Sequence, residues 1–217
     1  MPDEEREAES RAVDRLILFS DAVVAIAITL LAIDLPVPEG DTVHEFWASV
    51  RQNDGHYVAF LISFAVIAAA WNDHHDLFRY TRRTDSRLRT LNMAWLLTIV
   101  LNPFATRMLT AIGHPTLGAH ALRFGFYALL QVLESAVFLA MLRHMVAHGQ
   151  VPGAPQSVMA KLTVESYVLM AGFGLSIPVF FATTYAWALW FAIPLLVGQA
   201  RRLRRRNRGS PEAGPTP

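Results

Sequence analysis

The sequence predicts an all-α polytopic membrane protein with six transmembrane helices, and three observations carry that reading. Of 217 residues, 53% are apolar and only 17% are charged, against about 25% charged in an average soluble domain. The charges collect in short blocks between long apolar stretches, the pattern of a membrane protein. Stretches such as "AWLLTIVLNPFATRML" and "SYVLMAGFGLSIPVFFATTYAWALWFAIPLLVG" lack the polar face that a helix of a soluble bundle keeps.

The remaining composition excludes other classes. A formal charge of +1 gives no reason to expect nucleic acid or another acidic partner. With no cysteine, disulfides and thiolate chemistry are ruled out. The first fourteen residues, "MPDEEREAESRAVD", are polar and acidic, so they do not read as a signal peptide. They are expected to form a cytoplasmic segment, 1–14, ahead of a transmembrane domain over 15–200.

A helix crossing roughly 30 Å of hydrocarbon needs about 20 residues at 1.5 Å each. The first expected span is Arg15–Leu35, which has no charge between Asp21 and Asp34. The second, Tyr57–Phe78, closes in "WNDHHDLFRY". The third, Leu88–Ala111, holds Asn92, Asn102 and Pro103, and a proline inside a helix removes a backbone hydrogen bond and bends it. The fourth is Ala119–Met145. The fifth and sixth, Leu162–Ala182 and Thr184–Ala200, are separated only by Thr183 and Thr184, the pattern of a tight hairpin, with kinks expected at Pro178 and Pro194.

Orientation follows from lysine and arginine. Placing both termini inside puts every one of the 19 basic residues except Arg51, Arg107 and Arg123 on the inner side, as positive charge in membrane proteins prefers. An odd number of spans puts a basic cluster outside. The outer loop "PVPEGDTVHEFWASVRQNDGH" is long and acidic, with Trp47 suited to the interface. The residues 201–217 are read as a basic, disordered cytoplasmic tail, whose "RRLRRRNR" run sets orientation and meets lipid headgroups.

Polar residues inside apolar helices are the candidate functional groups. On a helical wheel, Phe19, Ala22, Thr29, Leu30 and Ile33 fall within about 60° of Ile26, while Asp21 lies about 140° away. A carboxylate in a membrane segment is costly and needs partners; the candidates are Arg15, His74, His75 and Asn92. Ser20 and Asp21 read first as a hydrogen-bonded clamp between helices, and second as a proton relay. Adjacent His74 and His75 diverge by about 100° on a helix, which disfavours one metal ion between them. Trp71, His74, His75 and Phe78 recur at helical spacing, suiting packing against a neighbouring helix. The outer histidines His44, His56, His114 and His120 have no spacing that suggests chemistry, and neither a nucleophile–base arrangement nor a phosphate loop occurs.

The residues Arg15, Phe19-Ser20-Asp21 and the apolar run Ala25–Leu31 resemble the signature of the endosomal and lysosomal potassium-channel family, transmembrane protein 175 type. Further matches are "WNDHH" with Phe78, Leu91-Asn92, and Asn102-Pro103-Phe104 with Thr106; the likeness runs from Arg15 to about Leu109. Ala22 stands where prokaryotic members often have glycine.

The resemblance implies a prokaryotic single-repeat member in the cell membrane, six helices per subunit, and a homotetramer with the first helix lining a central pore. It implies a potassium-selective channel, not an enzyme, with a hydrophobic gate in place of a TVGYG filter, which this sequence lacks. Ile26, Leu30 and Ile33 are then the constriction, with Thr29 and Ala22 on the same face. Arg15, Phe19, Ser20, Asp21, Trp71, His74, His75 and Asn92 form the signature and inter-helix network. The implied partners are other copies of the chain, lipid and monovalent cations, with K+ as permeant ion and neither cofactor nor structural metal. The rival reading is a proton-coupled secondary transporter with Asp21 and His74 or His75 as relay.

Overall fold

The computed structural model describes residues 3–111, 116–183 and 185–208. The described residues form seven α-helices: α1 Asp3–Ile33, α2 Val43–Gln52, α3 Asp54–Phe78, α4 Ser86–Thr110, α5 Leu117–Ala147, α6 Gln156–Phe180 and α7 Leu189–Arg208. A single 3-10 turn, Ala186–Ala188, precedes α7. The all-α expectation holds.

Helices α1, α3 and α4 pack mutually, α4 packs broadly on α5, and α5, α6 and α7 follow in sequence. One apolar core gathers Val24, Ala27 and Leu31 of α1 with Ile67 and Leu77 of α3, Trp95 of α4 and Met141 of α5. A second joins Ala105, Tyr127, Phe173 and Trp190 from α4, α5, α6 and α7.

Four helical stretches are long and apolar enough to cross a membrane: Glu7–Ile33, Asp54–Phe78, Leu117–Ala147 and Gln156–Phe180. The expected third and sixth spans are present as α4 and α7 but fall short of that measure. In α4, the arginines Arg87, Arg89 and Arg107 and the polar Asn92, Thr98 and Asn102 interrupt the apolar run. Asn92, Thr98 and Asn102 are all buried, so this helix turns its polar groups inward. In α7 the apolar part is short, Ala186–Ala200.

Some boundaries differ from expectation. The helix α1 begins at Asp3, well before Arg15, so the acidic segment continues the span as helix. The backbone of α7 stays helical through Arg208. Thr184, His114 and the tail beyond Arg208 lie outside the described residues. The outer loop contains α2, which begins with a capping box: the Thr42 side chain accepts from the Glu45 N–H, and the Glu45 carboxylate accepts from the Thr42 N–H. Gly40 enters this helix at φ +134, where a Cβ would come within 2.5 Å of the Glu45 Cβ.

Proline and glycine shape the last pair of helices. Pro178 lies inside α6 and Pro194 inside α7. Gly172 lies against α7, where a Cβ would sit 3.4 Å from the Leu189 carbonyl oxygen, an ordinary contact. Trp190 Nε1 donates to Ser176 Oγ at 2.9 Å, a buried bond joining the two helices.

Candidate functional site: the first helix and its clamp

The helix α1 has two unlike faces. Val13, Leu16, Ser20, Val24, Ala27 and Leu31 are buried against α3 and α4, spaced three or four residues apart as one helical stripe. On the other side Ile26 is 59% exposed, Leu30 42% and Ile33 76%. Ala22 and Thr29 are exposed on this same face, and the Thr29 hydroxyl donates back to the Ile26 carbonyl at 2.8 Å. The wheel drawn from sequence and the burial pattern therefore divide the helix along the same line.

The buried stripe is fastened by hydrogen bonds. Asn92 Nδ2 of α4 donates to Ser20 Oγ of α1 at 2.9 Å. Ser20 Oγ in turn donates to the Leu16 carbonyl at 2.9 Å. The other end of the Asn92 amide, Oδ1, lies 2.9 Å from His74 Nε2 of α3. An amide oxygen is only an acceptor, so the network places the His74 proton on Nε2. The imidazole is stacked between Phe78 at 4.1 Å and Trp95 at 4.4 Å, centroid to centroid. One asparagine thus ties three helices together, and His74, Asn92 and Ser20 are all buried. In a bilayer such groups have no water to bond, so pairing each donor is what makes their burial tolerable.

Asp21 is held separately. Its Oδ1 accepts from Trp71 Nε1 at 2.9 Å, a second α1–α3 tie. The partner is none of Arg15, His74, His75 and Asn92, the four candidates read from the residues. The Trp71–Phe78 stripe is also divided. His74 and Phe78 are buried, while Trp71 is partly exposed and His75, exposed, packs at its edge with ring centroids 5.7 Å apart. Phe19 and Arg15 stand outside the network: Phe19 is half-exposed on the open face and Arg15 is exposed.

Around the outer end, Asp34 pairs with Arg107 at 3.3 Å. The Glu45 carboxylate is occupied by the backbone N–H groups of Asp41 and Thr42. At the inner end, Asp85 caps α4 by accepting from the Leu88 N–H at 2.7 Å, and it also accepts from His144 Nε2 at 2.9 Å and Gln150 Nε2 at 2.8 Å. These donors, the Leu88 N–H foremost, hold its carboxyl below the ordinary aspartate value. No group of three or more histidines, aspartates or glutamates gathers in metal-holding geometry among the described residues.

Residues 15–103, which contain both the open face and the clamp, match the family model described as "Endosomal/lysosomal potassium channel TMEM175". Over these residues the chain is similar to the TMEM175 family. Among curated proteins it is 34% identical over 135 residues to a potassium channel of Streptomyces collinus, a match spanning 62% of this chain and 65% of that protein. It is 29% identical over 105 residues to the human endosomal/lysosomal proton channel TMEM175, covering 48% of this chain and 21% of that protein. The chain thus spans less than two thirds of these curated relatives. In fold it is similar to the crystal structure of a lysosomal potassium-selective channel TMEM175 homolog from Chamaesiphon minutus, with a TM-score of 0.66 at 27% identity over 85% of this chain and 97% of that one. The TMEM175 match ends at Pro103, so α5, α6 and α7 lie beyond it.

Sequence reasoning missed Trp95 as the second stacking partner of His74, because a tryptophan in an apolar helix carries no signal of its neighbour. It also missed the Asp85 cluster, whose partners lie 59 and 65 residues away in the chain.

Proposed function

We propose that this TMEM175-like chain forms a cation channel that conducts potassium, in which four copies bring the open face of α1 to a common axis. Each subunit crosses the membrane six times, with α4 and α7 as the third and sixth spans and both termini in the cytoplasm of a prokaryotic cell. Ile26, Leu30 and Ile33 form stacked apolar rings, and Thr29 supplies a hydroxyl layer between them. Ala22 continues the same surface toward the inner end. The observation that carries this reading is the two-sidedness of α1: its buried face is fastened by Ser20, while its open face is left without a partner inside the subunit. The naming of relatives as potassium channels supports the choice of ion.

Physically, an apolar ring resists wetting and gates by excluding water, and an ion passing it sheds part of its hydration shell. The Thr29 hydroxyls offset part of that loss. The clamp keeps the rings in register: Asn92 fixes the rotation of α1 against α3 and α4, and Trp71 holds Asp21 off the axis. The test is recording of purified protein in planar bilayers under a potassium/sodium gradient. Single-channel openings that change in conductance or ion preference with Ile26→Asn support the reading. Saturable flux without openings, or currents indifferent to Ile26→Asn, refute it.

A further inference from the structure

Helix α5 carries a single carboxylate, Glu134, in an apolar stretch. The residue is 5% exposed. Among the described residues its one hydrogen bond is long, 3.4 Å from Asn102 Nδ2 to Oε2, and Oε1 receives no donor. The charge that reaches Glu134 from elsewhere is that of Asp73, of the same sign, and no basic side chain among the described residues acts on it. Gln131 Nε2 donates to Asn102 Oδ1 at 2.7 Å, which fixes the asparagine with its amide nitrogen toward Glu134. Gln131 Oε1 is itself buried without a hydrogen-bond partner among the described residues. A glutamine at 134 would meet the Asn102 amide as well as a carboxylate does, so the hydrogen bond alone does not account for a charge at this position.

Gln131, Glu134 and Ser135 stand on one face of α5 and border a cleft of about 150 Å³. The space exists because α3 packs only lightly on α6. Its other walls are apolar and include Ala65 and Ala69 of α3, Phe173 of α6, and Trp190 and Phe191 of α7. No residue of α1 lines it. A buried ion is tolerable only with a counter-charge and satisfied hydrogen bonds, and inside a membrane segment the demand is sharper still. The protein supplies the anion and the acceptors here, and leaves the cation out.

We propose that this cleft binds a small primary amine in its ammonium form, with a hydrocarbon tail of about five carbons, at a site separate from the α1 face. A cavity of about 150 Å³ holds a six-carbon molecule, which sets the size. An ammonium has three donors and no acceptor, and it meets a face of α5 that offers a carboxylate, an amide oxygen and a hydroxyl. The tail lies against the alanines and aromatic rings, and aromatic walls favour a cation over a neutral molecule of the same shape. A hard metal ion takes about six oxygen ligands, which a wall made mostly of carbon does not supply. A carboxylate ligand is repelled by Glu134, and an alcohol brings one donor and no charge. The site stands whether or not α1 lines an ion pathway.

The test is calorimetric titration of the full chain in detergent micelles with n-pentylammonium chloride, with the heat of empty micelles subtracted. One saturable site per chain is expected, with n-pentanol bound at least about tenfold more weakly and pentanoate not bound. Glu134→Gln is expected to weaken the amine at least about tenfold, the worth of a hydrogen bond to a charged group. Ala65→Leu keeps the carboxylate but fills the cleft, and is expected to weaken it as much, while Ile26→Asn leaves it unchanged. The amine is also expected to raise the melting temperature of the parent and not of Glu134→Gln, since a ligand stabilises the state that binds it. If Glu134→Gln fails to fold, Ala65→Leu and the comparison with pentanol decide the matter. No saturable binding in the parent, equal affinity for amine and pentanol, or binding kept in either cleft variant overturns the proposal. Binding lost in Ile26→Asn places the amine on the α1 face and overturns it as well.

Discussion

Replacing Asn92 with alanine tests the clamp most sharply. The change removes two buried hydrogen bonds at once, to Ser20 Oγ and from His74 Nε2, both 2.9 Å long. Interhelical hydrogen bonds in membrane bundles average about 0.6 kcal/mol and reach about 1.7, so the pair contributes about 1–3 kcal/mol. The lower end applies if water or a rearranged serine satisfies the freed groups, and the upper end if the His74 N–H is left bare between Phe78 and Trp95. Unfolding in mixed micelles gives the single-mutant loss, and a cycle with Ser20→Ala isolates the bond. The expected coupling is about 0.6–1.7 kcal/mol. Additive losses, with coupling inside about 0.3 kcal/mol, would show that the asparagine does not fasten α1 to α4.

Other outcomes follow from single contacts. The Asp85 carboxyl is held below its ordinary value by the Leu88 N–H, His144 and Gln150; its contribution to stability is therefore complete above about pH 4 and lost as pH falls through the depressed value. Asp85→Asn is expected to flatten that acid limb in a melting-temperature series against pH, and an unchanged limb assigns it to other carboxyls. Gly172→Ala meets the Leu189 oxygen at an ordinary 3.4 Å contact and leaves melting near that of the parent. Gly172→Leu has no room and is expected to cost about 1–3 kcal/mol, and tolerance of leucine would mean that α7 does not pack as described. Asp21→Ala breaks the Trp71 bond and is expected to weaken assembly on size-exclusion chromatography while ion preference stays as in the parent; a variant that assembles normally but loses preference contradicts this.

Much of this architecture is legible because membrane helices leave polar groups few choices. Ser20, His74 and Asn92 stand in apolar surroundings, and their meeting is close to a requirement of hydrogen-bond accounting. The two faces of α1 are equally readable, since small and apolar residues alternate at helical spacing. The partner of Asp21 was not readable from the residues alone: tryptophan reads as packing, and its single N–H is easily passed over beside histidines and an arginine. The outer helix α2 was hidden in a sequence that reads as a loop, although Thr42 and Glu45 stand at capping-box spacing. Glu134 was in plain view as the lone carboxylate of α5, yet its environment depends on Asn102 and Gln131 meeting across two helices, which spacing within one helix does not reveal.

The chain has no cysteine, which permits a direct measurement on α1. Single cysteines are placed at Ala22, Ile26, Thr29, Leu30 and Ile33 on the open face, and at Val24 and Ala27 on the buried face. A water-soluble cationic thiol reagent is added while potassium current is recorded. The account predicts block at the five open-face positions and none at Val24 and Ala27. Block that follows neither face, or open-face cysteines that react only with lipid-soluble reagents and leave the current intact, would mean that this surface meets lipid and lines no ion pathway.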